Sequence, residues 1–116
     1  GMYDMIHVRF KQDDSGLSAC FSGHAGMGAV GKDIVCSAAS ILYYTAAKSL
    51  EDFAADGSLD AVTIDERKGF LSCRPKEGME ESVRMMFSTV GRGFELLSAF
   101  YPQAVEFETF GDPERD

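Results

Sequence analysis

One short segment of the chain holds two residue types that can act together in nucleophilic catalysis. It reads Gly23-His24-Ala25-Gly26-Met27-Gly28-Ala29-Val30-Gly31-Lys32-Asp33-Ile34-Val35-Cys36. A cysteine thiolate attacks carbonyl carbon atoms, and a nearby imidazole can take the thiol proton and pass it to a leaving amine. The segment therefore predicts a thiol–imidazole pair made of Cys36 and His24.

The position of Cys36 favours this chemistry. If Asp33 caps a helix, Cys36 is the third helical residue, where backbone N–H groups still lack partners within the helix. The positive end of the helix dipole lies there, and together with a protonated His24 it stabilises a thiolate. The same N–H groups are suited to hold the oxyanion of an acyl-transfer intermediate.

Other interpretations of the same residues stay open at this point. A cysteine in an Ile-Val-Cys-Ser-Ala run is often only a buried core residue, and a histidine at a strand end is often a capping or surface group. The glycine-rich loop resembles a phosphate-binding loop, but it lacks the Gly-Lys-Ser/Thr ending. Asp33 either caps the helix or orients His24, and Ser37 and Ser40 lie near Cys36 as supporting or simply packing residues.

The strands that must position His24 come first in the chain. Residues 5–11 alternate between apolar and polar side chains, which is typical of a strand with one buried and one exposed face. The turn residues 13–16 follow, and the alternation resumes over 17–21, so the two strands are predicted to form a hairpin. His24 is then expected just beyond the end of the second strand.

The helix that must carry Cys36 is predicted from about residue 32 to residue 53. Its expected core-facing positions, taken from helical spacing, are Ile34, Ala38, Ile41, Leu42, Thr45 and Phe53. Residues 38–47 are nearly free of charge, which is more apolar surface than one sheet face needs to cover. A second contact is therefore expected for this helix, and another subunit is one candidate.

The rest of the chain predicts a second hairpin, a second helix and a last strand. The hairpin joins a strand around Val62 and Ile64 to a strand at 70–74, and the helix runs from 80 to 101, before Pro102. Gly91 and Gly93 are expected to mark a close contact between helices. With a final strand at 105–109, the order is ββαββαβ. The fold class is α+β: a two-layer α/β sandwich with a mainly antiparallel sheet and both long helices on one face.

Length and composition limit the classes of function. The 116 residues, 45% of them apolar, fit one domain, expected over residues 2–112, with Gly1 as a cloning scar. No apolar run approaches the roughly 20 residues of a membrane span, so no membrane partner is expected. A net charge of −8 disfavours nucleic acid and would attract a basic partner, unless the charge serves only solubility.

The cysteine count points to a reducing compartment. Cys20, Cys36 and Cys73 are an odd set without Cys-x-x-Cys spacing, so we expect no disulfide framework and a cytoplasmic protein. Cys20 and Cys73 are expected to be structural. The histidines His7 and His24 have no ligand spacing with the cysteines, so no metal site is expected. His7 is expected to be a surface residue of the first strand.

The central motif resembles a known family. The runs Gly-His-Ala-Gly and Gly-Lys-Asp-Ile-Val-Cys-Ser-Ala-Ala-Ser are similar to the ribosomal-processing cysteine proteases of bacteria, the Prp family, and the similarity in pattern extends over essentially the whole chain. The resemblance implies that Cys36 and His24 are the catalytic pair and that no cofactor is needed. It also implies a homodimer with an α/β sandwich fold, which removes a short N-terminal extension from a large-subunit ribosomal protein.

The loop between the two catalytic positions is expected to contact the substrate. The residues assigned to this loop are Gly23, Ala25, Gly26, Met27, Gly28 and Gly31. Its glycines predict that the loop is mobile without substrate and becomes ordered when peptide binds. The competing hypothesis is a non-catalytic acidic module that binds proteins during ribosome assembly. A redox-sensing thiol protein is a weaker alternative, because no resolving cysteine lies nearby in sequence.

Overall fold

The computed structural model of the protein describes residues 5–23 and 34–110. The elements in chain order are β1 (Ile6–Asp13), β2 (Gly16–Ser22), α1 (Ile34–Ala55), β3 (Leu59–Asp65), β4 (Phe70–Pro75), α2 (Glu80–Phe100) and β5 (Val105–Glu108). The described part thus has the predicted order ββαββαβ. The predicted ends of the elements agree to within a few residues; Thr109, for example, lies just beyond β5.

The five strands form one sheet in the order β3-β4-β2-β1-β5. Three of the four neighbouring pairs are antiparallel, and only β5 runs parallel to its neighbour β1. The sheet is therefore mainly antiparallel, as predicted. Strand β2 is the middle strand, so the chain segment that follows it leaves from the centre of the sheet.

Both helices cover the same face of the sheet. The alternating side chains of β1 and β2 that are buried there are Ile6, Val8, Phe10, Leu17, Ala19 and Phe21. The ring of Phe10 contacts Phe87 of α2 edge-on, with 5.7 Å between ring centroids. The ring of Phe21 contacts Tyr43 of α1 edge-on at 5.0 Å. Because these two strand residues share one face, the two helices form one layer, which confirms the predicted sandwich.

The buried face of α1 differs from the prediction. Its buried residues are Val35, Cys36, Ala39, Tyr43, Ala46, Ala47 and Leu50. Ile34 and Ile41 are 67% and 62% exposed, and Thr45 is also exposed, so the prediction for these three positions was wrong. Ala38, Leu42 and Phe53 pack only partly against the core. Apolar residues surround most of this helix, so hydrophobic spacing alone does not fix which side faces the sheet.

Helix α2 spans nearly the predicted range, 80–101, and ends one residue earlier, at Phe100. Its buried residues are Val83, Phe87, Val90, Gly91, Phe94 and Leu97. A Cβ atom on Gly93 would lie 2.5 Å from Cδ2 of Leu42 in α1, so this glycine marks a close helix contact, as predicted. A Cβ atom on Gly91 would lie 3.3 Å from Cζ of Phe107, so this second glycine brings α2 close to the sheet instead.

Candidate active site

The first turn of α1 holds Cys36. The helix begins at Ile34, so Cys36 is its third residue, the position expected if Asp33 caps the helix. Asp33 itself lies outside the described residues. Cys36 is 1% exposed and belongs to the inward side of the helix. The structure thus places this thiol next to the positive end of the helix dipole, in surroundings from which water is largely excluded.

Strand β2 leads directly to the histidine position. Gly23 follows the strand with a φ of +89°, and a Cβ atom there would lie 2.0 Å from the carbonyl oxygen of Met5. Any other residue would clash with that backbone, so glycine is required where the chain leaves the sheet. His24 comes next but lies outside the described residues, as does the predicted substrate loop Ala25–Gly31.

Tyr43 ties the two elements of the site together. It follows Cys36 by seven residues, about two turns of α1, and its ring packs edge-on against Phe21 of β2. Phe21 stands two residues before Gly23, and its N–H donates a 2.8 Å hydrogen bond to the carbonyl of Gly69 after β3. Packing of this kind fixes the start of α1 relative to the end of β2, which is what a thiol–imidazole pair requires.

The two serines assigned to the site differ in position. Ser37 is exposed, so its side chain is on the outer side of α1. Ser40 is half-buried and lies one turn after Cys36 on a neighbouring part of the helix surface. Ser40 is therefore nearer to the thiol side of the helix than Ser37 is.

Two tyrosines and a glutamate were missed by reasoning from the sequence. The Tyr44 hydroxyl donates a hydrogen bond to the Glu66 carboxylate, which raises the pKa of Tyr44. Burial, with the nearby carboxylates of Glu66 and Asp65, raises the pKa of Tyr43 to about 12. Both tyrosines therefore stay neutral at physiological pH. The signal for them was their spacing of seven and eight residues after Cys36.

The other thiols lie apart from this arrangement. Cys73 is buried in β4, and burial raises its pKa to about 11, so it stays protonated at neutral pH. Cys20 is a free, exposed thiol on β2. His7 is exposed on β1, as predicted, and its Nδ1 lies 2.7 Å from Oε1 of Glu106. Neither this histidine nor these two cysteines has the helix-start setting of Cys36.

The described ranges of the chain contain neither a metal-binding cluster nor a membrane-spanning helix. Over residues 5–23 and 34–110, no three His, Cys, Asp or Glu side chains are grouped closely enough to hold a metal ion. Neither α1 nor α2, the two helices of this part of the chain, is long and apolar enough to cross a membrane.

Most of the chain matches a known protein family. Residues 5–106 match the family described as cysteine protease Prp. The match covers both hairpins, the whole Gly-His to Cys36 segment, both helices and the first half of β5. Among curated proteins, none is similar enough to this chain to count as a match.

Solved structures share the fold. The crystal structure of SMU.848 from Streptococcus mutans is 28% identical, with a TM-score of 0.63, and the alignment covers 92% of this chain and 95% of that one. The essential ribosomal processing protease Prp from S. aureus, in complex with a substrate peptide, is 18% identical with a TM-score of 0.63; the alignment covers 91% of this chain and 100% of that chain. The same S. aureus protein with a covalently linked product peptide is 19% identical, has a TM-score of 0.64 and is covered equally.

Proposed function

This chain belongs to the cysteine protease family Prp, and from that premise we propose that Cys36 is the nucleophile of peptide-bond hydrolysis and His24 its general base and acid. The observation that carries the assignment is the location of Cys36 in the third position of α1. The family match names the activity, and among the three cysteines only Cys36 lies at a helix start.

The proposed reaction proceeds by proton transfers between Cys36, His24 and the substrate. His24 takes the thiol proton, and the Cys36 thiolate attacks the carbonyl carbon of the scissile peptide bond. The oxyanion that forms lies next to the positive end of the α1 dipole, which lowers its energy. The protonated His24 gives its proton to the leaving amine as the C–N bond breaks. Water, deprotonated by His24, then hydrolyses the thioester and restores the thiol.

The supporting residues receive narrower roles. Asp33 directly precedes α1 in sequence, so its proposed role is to cap the helix rather than to orient His24. Ser40 is the better candidate for a polar neighbour of the thiol, because Ser37 faces solvent. We assign the predicted loop, Gly23 and Ala25–Gly31, to substrate contact.

The burial of Cys36 has a consequence for access. A thiol that is 1% exposed cannot meet a peptide carbonyl until its surroundings rearrange. Substrate binding is therefore proposed to include a conformational step that opens a path to Sγ before the chemistry. Exclusion of water before that step also protects the thiol from side reactions.

The proposed substrate is a large-subunit ribosomal protein with an N-terminal extension. Support comes from the family of the chain and from the S. aureus relative, which is a ribosomal processing protease with a substrate peptide bound. The net charge of −8 suits such a substrate, because ribosomal proteins are basic and opposite charge accelerates encounter. Ribosomal proteins are made in the cytoplasm, and we place the enzyme there.

The test is cleavage of a peptide that spans the junction between the extension and the mature ribosomal protein. We expect Cys36→Ser to lower kcat/KM at least about a thousandfold, and His24→Ala to lower kcat by about 10²–10⁴. Cys20→Ser changes a thiol outside the site and is expected to leave cleavage unchanged. Mass spectrometry of the products gives the cleaved bond. Full activity of the Cys36→Ser protein would disprove the assignment.

We further propose that the protein is a homodimer that uses the outer side of α1. Ile34 and Ile41 are 67% and 62% exposed there, so this side of the helix presents two large apolar side chains to a partner. Their removal from water in a dimer would be favourable by the usual hydrophobic term. The same residues were predicted from sequence to be buried, and a dimer would bury them against a partner instead of the sheet.

A single substitution tests the dimer. Ile41→Glu places a charge in the proposed interface, so we expect light scattering at micromolar concentration to give the monomer mass of 12.6 kDa, against twice that mass for the unchanged protein. Val62→Glu is the matched control, because Val62 is also an exposed apolar residue, 40% exposed, but lies on β3. A monomeric unchanged protein would refute the proposal.

A further inference from the structure

The hydroxyl of Tyr43 is buried without a partner. The residue is 2% exposed, and within residues 5–23 and 34–110 no group forms a hydrogen bond with this oxygen. An unpaired buried hydroxyl costs about 1–3 kcal/mol, and native proteins keep few of them. Phenylalanine would fill the same space without this cost, so the hydroxyl calls for a functional explanation.

Two acidic side chains act on this tyrosine: besides burial, the carboxylates of Glu66 and Asp65 raise the pKa of Tyr43. The ring of Tyr43 lies edge-on to the ring of Tyr44, with 5.1 Å between centroids, and the Tyr44 hydroxyl is held by Glu66. Asp65 precedes Glu66 in the β3–β4 turn, and one of its carboxylate oxygens accepts the backbone N–H of Lys68. We name as the tyrosine–carboxylate cluster Tyr43, Tyr44, Asp65 and Glu66.

The carboxylates of the cluster have no cationic partner in the described part of the chain. The ion pairs found there are His7–Glu106, Arg9–Glu108, Lys48–Asp52 and Lys76–Asp60. Arg67 and Lys68 follow Glu66 in the same turn, yet their side chains are exposed and take part in none of these pairs. Two carboxylates therefore face the tyrosines without a neutralising charge.

The chemistry of the cluster selects a cation. A lysine ammonium or an arginine guanidinium can donate hydrogen bonds to the carboxylates, and its stem can pack on the ring of Tyr44. Because Tyr43 is 2% exposed, the cation reaches the Tyr43 oxygen only when binding displaces the side chains that cover it. An anionic group would be repelled by both carboxylates. An apolar group would leave the Tyr43 oxygen unpaired, as it is now.

The cluster lies at a fixed distance from the thiol. Tyr43 and Tyr44 follow Cys36 by seven and eight residues on α1, which is about 10–12 Å along the helix axis. An extended peptide advances about 3.3 Å per residue, so this distance corresponds to three or four residues of substrate. We propose that the tyrosine–carboxylate cluster is a subsite that binds a lysine or arginine side chain of the peptide substrate, three or four residues from the scissile bond. The proposal rests on the protease function assigned above.

The test compares peptides that differ in one charge. Starting from a cleaved peptide, lysine or norleucine is placed at each of the third and fourth positions on both sides of the scissile bond. At one of these positions we expect the lysine peptide to have a KM about five- to tenfold lower than the norleucine peptide, with kcat unchanged. Equal KM values for lysine and norleucine at all four positions would overturn the proposal.

Variants connect the effect to the cluster. Glu66→Gln is expected to abolish the difference in KM between the preferred lysine peptide and the norleucine peptide, and Tyr43→Phe to reduce that difference in part. Glu95→Gln, which changes an exposed glutamate of α2, is the matched control and should keep the full preference. A preference that survives in both cluster variants would also overturn the proposal.

The same peptides separate this proposal from the proposed function. Their affinities are measured on the Cys36→Ala protein by fluorescence anisotropy, which needs no turnover. If the unchanged protein cleaves none of the peptides, the protease assignment is wrong. The subsite proposal is then tested by binding alone: it is supported if the lysine peptide binds more tightly than the norleucine peptide and Glu66→Gln removes that difference, and it is wrong otherwise. If cleavage occurs but the lysine and norleucine peptides bind with equal affinity, only the subsite proposal is wrong.

Discussion

Helices α1 and α2 have nearly the same length, 22 and 21 residues, and pack against the same face of one sheet, yet their buried sides differ. Both helices expose large apolar residues: Ile34 and Ile41 in α1, and Met85, Leu96 and Phe100 in α2. The buried residues of α2 are all apolar. The buried side of α1 also holds the thiol of Cys36 and the hydroxyl of Tyr43.

This difference follows from what each helix must do. The buried side of α2 carries only apolar residues and one glycine, as packing against a sheet favours. Helix α1 carries the proposed nucleophile at its start and the proposed subsite two turns later. Both require polar atoms on the buried side, where a purely stabilising sequence would place leucine or phenylalanine. The exposed isoleucines would serve a third task under the dimer proposal, contact with a second subunit.

The largest expected effect is on α2, where burial alone determines the outcome. The ring of Phe94 is fully buried and contacts Phe10, Phe21 and Phe107. Phe94→Ala leaves a cavity among these rings, so we expect the free energy of unfolding to fall by about 3–5 kcal/mol in urea denaturation. Leu96→Ala, at a position 57% exposed on the same helix, should change it by less than about 0.5 kcal/mol. Similar losses in the two variants would contradict the assigned face of α2.

The next effect decides which side of α1 faces the sheet. Leu50 is fully buried and Ile41 is 62% exposed, although spacing in the sequence had assigned Ile41 to the core. We expect Leu50→Ala to lower the free energy of unfolding by about 2–4 kcal/mol and Ile41→Ala to lower it by less than about 1 kcal/mol, measured in dilute solution. A larger loss for Ile41→Ala than for Leu50→Ala would mean that Ile41 faces the core, as predicted from the sequence. The proposed dimer interface would then have no basis.

Most of the fold was predictable because most segments carry a clear period. Alternation of apolar and polar side chains predicted β1 and β2, and the spacing of apolar residues predicted the range of α2 to within one residue. The strand order was not predictable, because contacts such as the parallel pairing of β5 with β1 join residues about 100 positions apart. The side of α1 that is buried was not predictable either. Apolar residues lie on several sides of this helix, so their distribution does not indicate which side packs against the sheet.

The site was predictable only where its residues are close in sequence. Cys36 and Gly23 belong to one segment, and their positions at a helix start and a strand end follow from local rules. Glu66 comes from a turn 30 residues after Cys36, and only the hairpin between β3 and β4 brings it to Tyr44. No local pattern in the sequence predicts the hydrogen bond between Tyr44 and Glu66. Tyr43, by contrast, could have been found by following the helix face from Cys36.

The smallest expected effect is on Tyr43, and it tests whether the buried hydroxyl of α1 lowers the stability of the protein. Tyr43→Phe removes a buried hydroxyl that has no partner in the described structure, so we expect the free energy of unfolding at pH 7 to rise by about 1 kcal/mol. Tyr44→Phe is the matched control. Its hydroxyl is bonded to Glu66 on a residue 39% exposed, so removal should bring no gain.

Alkaline pH should enlarge the difference between the unchanged protein and the Tyr43→Phe variant. Burial raises the pKa of Tyr43 to about 12 in the folded state, against about 10 for an unfolded tyrosine. Below pH 10 both states keep the proton; from pH 10 to 12 only the unfolded state loses it, so stability falls as pH rises. The Tyr43→Phe variant does not show this fall in stability, because it has no hydroxyl to titrate. Burial also raises the pKa of Cys73 to about 11, but its effect on stability is the same in both proteins. Urea denaturation at pH 7 and pH 10.5 measures the change. A variant less stable than the unchanged protein at both pH values would mean that the hydroxyl has a structural partner in solution, and α1 would then be built for stability as α2 is.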